Sequence, residues 1–136
     1  MISASTFICS VLLTVFHSFN PLSQSTNECT IRISGFETEK GKAFIKILDI
    51  NNKPLKTYVL PITDGQVVCK LNVTGQSRVA VQVFHDVNNN KKLDKNLFGA
   101  PAEPWGISGE TRPSFRAPTL AEMLVNVQKD IQITVK

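Results

Sequence analysis

The chain has 136 residues, 42% of them hydrophobic and 19% charged, with a formal net charge of +4. That length fits one domain with one core. The lysines are scattered rather than gathered into a stripe, which argues against a nucleic-acid partner.

The chain opens on an uncharged, Ser/Thr-containing start and an apolar run from Phe7 to Phe16. Ser23-Gln24-Ser25 offers small residues around a cleavage point, so residues 1–25 are expected to be a cleaved export signal. The run is shorter than the ~20 residues a spanning helix needs. No stable membrane span is therefore expected once it is removed, although an uncleaved anchor is the alternative. This places the expected domain at 26–136 and the protein in the periplasm, on the cell surface or secreted.

Cys29 to Ser34 alternates in polarity and predicts a first strand, ended by Gly35. Lys42 to Ile50 predicts a second, followed by the turn Asn51-Asn52-Lys53-Pro54. Leu55 to Leu60 is a weaker third strand that Pro61 marks as an edge or an end. Gln66 to Val73 and Val79 to Phe84 follow as strands four and five. A long loop from Asp86 to about Pro118 carries Pro101, Pro104, Pro113 and Pro118. Met123 to Val127 and Ile131 to Val135 then close the chain around a turn at Lys129-Asp130. Some seven short strands without a long helical period predict an all-β fold, a single β-sandwich with one long loop.

Loss of Cys9 with the signal leaves Cys29 and Cys69. Each shares its strand face with apolar residues, Cys29 with Ile31 and Ile33, Cys69 with Leu71 and Val73. In an exported chain that inward pair predicts a disulfide across the core. Two buried free thiols are the alternative.

The long loop holds the densest chemistry. Asp86, Asn88, Asn90 and Asp94 stand at relative positions 1, 3, 5 and 9, and Lys92 could add a backbone oxygen at position 7. Such spacing lets hard oxygen ligands converge on calcium. Leu93 would anchor the loop, and Phe98, Trp105 and Phe115 are the side chains expected to pack it down. Leu97 occupies the place of the bidentate Glu of an EF-hand, so this is not that motif. The competing reading is a solvated turn in which Asp and Asn side chains bind their own backbone.

The run HDxNxNxxLDxNxxGxPxExxGxS, carried here by His85, Asp86, Asn88, Asn90, Leu93, Asp94, Asn96, Gly99, Pro101, Glu103, Gly106 and Ser108, resembles a family of exported bacterial proteins. That family is known as domain of unknown function 2141. The resemblance implies export and a sandwich similar to transthyretin-like or immunoglobulin-like modules, and it implies no activity. The chain departs from the pattern at Lys91, where such members usually carry Gly, and at Gly109-Glu110, where Asn is usual.

His85 continues the Val79, Val81, Val83 face and is expected to bond a loop carbonyl at the end of the core. Neighbouring strand residues face opposite ways, so His85 and Asp86 are poorly placed as a dyad. Trp105, between Pro104 and Gly106, either stacks on a ligand or pins its own loop. The expected function is an exported module that binds or supports, with calcium as its ion and a cell-envelope protein or a glycan as the partner. The alternative is a periplasmic or cell-surface hydrolase with His85, Asp86 and Glu103 in its site.

Overall fold

The computed structural model describes residues 26–136, so the export signal expected over residues 1–25 lies outside the described residues. Within them the chain forms β1 (Thr26–Ser34), β2 (Lys42–Leu48), β3 (Pro54–Leu60), β4 (Gln66–Thr74), β5 (Arg78–Asp86), β6 (Trp105–Ile107), α1 (Leu120–Met123), β7 (Leu124–Asn126) and β8 (Ile131–Thr134). Two sheets face one another in an all-β sandwich. One has the order β4-β1-β8; the other runs β3-β2-β5-β6, with β7 also pairing β5. All the ladders are antiparallel except β1 with β8.

The alternation of apolar residues decides which face of each strand turns inward. Ile31 and Ile33 of β1, Ile45 and Ile47 of β2, Leu71 of β4, Val79 and Val81 of β5 and Ile131 and Ile133 of β8 form one buried cluster between the sheets. Each fully buried side chain of this size contributes roughly 1.5–3 kcal/mol. The outer face of the larger sheet carries a second, smaller cluster of Leu48, Ala80, Ile107 and Met123. Here α1 supplies the cover, which is why Met123, expected to begin a strand, instead ends a helical turn.

The loop expected from Asp86 to about Pro118 contains a strand. Strand β6 pairs the second half of β5, with Gln82 opposite Ile107 and Phe84 opposite Trp105. Strand β7 takes the first half of the same edge. Backbone bonds from Trp105 N to Lys136 O and from Lys136 N to Trp105 O, both 3.2 Å, then tie β6 to the end of the chain. Gly106 makes this closure possible: a Cβ there would stand 2.8 Å from Ile133 Cγ2 and from the Thr134 carbonyl.

The expected disulfide is not formed. Cys29 and Cys69 are free, the first buried and the second half-buried. Their inward phase holds, but they belong to adjacent strands of one sheet rather than to opposite sheets. Cys29 is opposite Leu71, and Cys69 is opposite Ile31. Diagonal neighbours on such a ladder stand roughly 7–8 Å apart, beyond the ~4.4–6.8 Å Cα separation of a disulfide.

Candidate functional site

Strand β5 delivers the site. Its last two residues, His85 and Asp86, are both 1% exposed, and the chain leaves the sheet immediately after them. His85 points into the sandwich, edge-on to Phe36 with ring centroids 5.4 Å apart. Its Nε2 donates to the Lys40 carbonyl at 2.7 Å. That partner sits on the β1–β2 connection, which approaches so closely that a Cβ on Gly41 would overlap the Asp86 carbonyl.

Asp86 faces the other way and closes the turn beneath it. Its Oδ1 accepts from Asn90 N at 3.0 Å, and its Oδ2 accepts from Lys91 N at 2.8 Å. Asn88 Oδ1 accepts from Asn90 N, and Asn90 Oδ1 from Lys92 N at 2.8 Å. Asp94 then receives the side-chain amides of Asn88 and Asn90, at 2.6 and 2.9 Å. The sharp curl needs left-handed backbone at Asn89 (φ 59°) and Lys91 (φ 61°). This is the physical reason a glycine suits position 91, since a side chain there costs roughly 1–2 kcal/mol.

Glu103 joins the two limbs of the loop. It is half-buried, and its Oε1 accepts from Val87 N at 3.0 Å while Oε2 accepts from Asp94 N at 3.2 Å. The structure thus brings Asp86, Asn88, Asn90, Asp94 and Glu103 into one knot, with Lys92 exposed on it and Leu93 half-buried. Among the described residues, no group of three or more His, Cys, Asp or Glu is gathered to hold a metal. The arrangement fits calcium only in part. The Asn88 and Asn90 oxygens hold backbone N–H groups, and it is their amide nitrogens that face Asp94.

Trp105 is half-buried in β6, with the Arg112 guanidinium 3.9 Å above its ring. Phe98 and Phe115, expected to pack the loop, instead project into solvent and are 93% and 102% exposed. The loop is ordered by polar bonds and by the edge of β5, with no need for those rings.

Ser108 escaped sequence reasoning as a functional position. It is fully buried, its Oγ accepting from Val81 N at 2.7 Å and donating to the Met123 carbonyl. A serine between Ile107 and Gly109 carries no local sign of burial. The expected loop carbonyl beside His85 is there, but that it belongs to Lys40 was not legible, because a backbone acceptor leaves no mark in the residue type.

Fold and loop together define an all-β sandwich with a long, internally bonded connection at one end. The chain matches the family described as "Uncharacterized protein conserved in bacteria (DUF2141)" over residues 25–134, and it belongs to that family. No curated protein and no solved structure matches it.

Proposed function

We propose that the protein is an exported, non-catalytic sandwich module that acts by binding or as a structural element at the cell envelope. The observation that carries this reading is the use made of the loop's reactive groups. The His85 imidazole and both carboxylates, Asp86 and Glu103, are spent on backbone partners. A general acid or base must reach a substrate proton, and groups holding the backbone in place are poorly placed to do so. The apolar run at Phe7–Phe16 supports export, and the partner class that suits a module of this kind is a cell-envelope protein or a glycan.

Calcium enters this reading as a weak ligand of Asp86, Asn88, Asn90, the Lys92 carbonyl and Asp94. It would take the place of the two amide groups on Asp94, and its chemistry would be electrostatic cross-linking of the loop. The hydrolase reading makes the opposite demand, that His85, Asp86 and Glu103 be free for chemistry.

Melting of the purified protein separates these readings. Glu103→Ala and His85→Ala are expected to lower the melting temperature, since each strands buried or half-buried backbone groups at roughly 1–3 kcal/mol. Stability that is unchanged or raised would favour a catalytic role, because reactive sites are commonly held at the expense of stability. Calcium near 10 mM, about ten times the ~10⁻³ M upper end of the weak extracellular range, should raise the melting temperature of the parent but not of Asp94→Ala. Coincident curves in calcium and in chelator would remove the ion from the proposal.

A further inference from the structure

Residues 94–102 form a small hairpin that stands out from the loop. Ala102 N donates to the Asp94 carbonyl at 2.7 Å, Lys95 bridges Pro101, and Asn96 N donates to the Ala100 carbonyl at 2.8 Å. The tip is fixed as well. Asn96 Oδ1 accepts from Phe98 N at 2.9 Å and from Ala100 N at 3.1 Å, and Gly99 N returns to the Asn96 carbonyl at 3.0 Å. On this fixed turn Leu97 and Phe98 are 101% and 93% exposed.

Single apolar side chains on a surface are ordinary. Two large ones side by side, on a turn whose backbone bonds are already made, are different. Little conformational freedom remains to be lost when they are buried against something. Exposed Lys91, Lys92 and Lys95 lie immediately before the tip. The acid in that stretch, Asp94, is engaged by the amides of Asn88 and Asn90, so residues 91–95 carry a net +2 (3 − 1). The β1–β2 connection at the same end carries Glu37 and Glu39 against Lys40, a net −1 (1 − 2) that Lys42 at the start of β2 offsets.

We propose that the 94–102 hairpin docks the domain on a bilayer containing anionic lipid, with Leu97 and Phe98 entering the interface and the three lysines at the headgroups. Apolar insertion and attraction to anionic lipid act together in such binding. Lysine stems lie along apolar surface while their charges stay in water. The lysines select an anionic surface over a neutral one, and the two-residue tip suits shallow, reversible insertion. This inference goes beyond the module reading and does not depend on calcium. Among the described residues, no helix is long and apolar enough to cross a membrane.

The test uses the protein without residues 1–25, because the buried clusters are built from Cys29 to Val135 and the apolar start would itself bind lipid. Sedimentation with vesicles of phosphatidylcholine, with and without phosphatidylglycerol, measures the partition coefficient. The parent should bind the anionic vesicles and bind neutral ones far less. Leu97→Ser with Phe98→Ser should lower binding at least about tenfold, with an unchanged melting curve because neither side chain is packed. Replacing Lys91, Lys92 and Lys95 by Gln should lower it about fivefold per lysine, and added salt should weaken the parent in the same direction. A parent that stays in solution with anionic vesicles overturns the proposal, as does a serine variant that binds like the parent. In the first case a protein pocket or a second copy of the chain becomes the occupant to seek.

Discussion

Ser108 sits where β5, β6 and the end of α1 meet, and its hydroxyl serves two backbones at once. It accepts from Val81 N and donates to the Met123 carbonyl, while Ser108 N donates to the Val81 carbonyl at 2.8 Å. Ser108→Ala would keep the volume nearly constant and leave an N–H and a carbonyl without partners in a fully buried place. Each such group costs about 1–3 kcal/mol, so a loss of roughly 2–6 kcal/mol is expected in urea unfolding, with the slope unchanged. A midpoint equal to the parent's would mean that a water can replace the hydroxyl. Little of this was legible beforehand. The acids and amides of the loop announced themselves by type and spacing, whereas the burial of a serine depends on strands that only the fold brings together.

At the scale of elements, strands β1 to β5 and β8 followed from alternation, and their ends moved by at most three residues. Strand β2 stops at Leu48 because Asp49 turns away to cap the next turn, accepting from Asn51 N and Lys53 N at 2.8 Å each. Strand β6 was not legible, since Trp105-Gly106-Ile107 is too short for a period and stands among prolines. Helix α1 was missed for the same reason; one turn makes no helical stripe. What fixes α1 is polar. Glu122 accepts from Thr119 N at 2.8 Å and from Thr119 Oγ1 at 2.9 Å, and it pairs with the Arg116 guanidinium. The bond to Arg116, with the Thr119 bonds behind it, pulls the Glu122 pKa from its ordinary 4.5 down to about 2. A depressed carboxylate stabilises the folded state above its unfolded value and loses that contribution as pH falls through the folded one. Any contribution from the Glu122 charge is therefore complete above about pH 4.5 and is lost as pH falls through about 2. Carboxyl chemical shifts should place the Glu122 midpoint near pH 2, and Arg116→Ala should move it back towards the ordinary range. A midpoint near 4.5 in the parent would show that the pair does not persist in solution.

For the molecule as a whole, the question is what holds a sandwich of this size together without a covalent tie. The inner cluster draws on β1, β2, β4, β5 and β8 and so spans both sheets. Backbone bonds between Trp105 and Lys136 join β6 to the last residue of the chain. Phase along the strands foretold that Cys29 and Cys69 face inward, but register decides whether they meet, and register is a property of the paired sheet. The ladder sets them one step apart on the diagonal. Burial pushes both thiols up in pKa, assisted at Cys29 by Asp130 and at Cys69 by Cys29, with Lys56 opposing at Cys69. Thiolate is the reactive form, so raised values together with burial slow oxidation and labelling alike. The domain without residues 1–25 should accordingly melt at the same temperature with and without reductant. Its two thiols should label slowly while it is folded and together once it is unfolded. Had they been joined, closing a loop of this length would contribute about 3–4 kcal/mol, and reduction would lower the melting temperature by several degrees. Such a drop, with no thiol labelled in the unfolded, unreduced chain, would show that β1 and β4 shift in register far enough to close the bond.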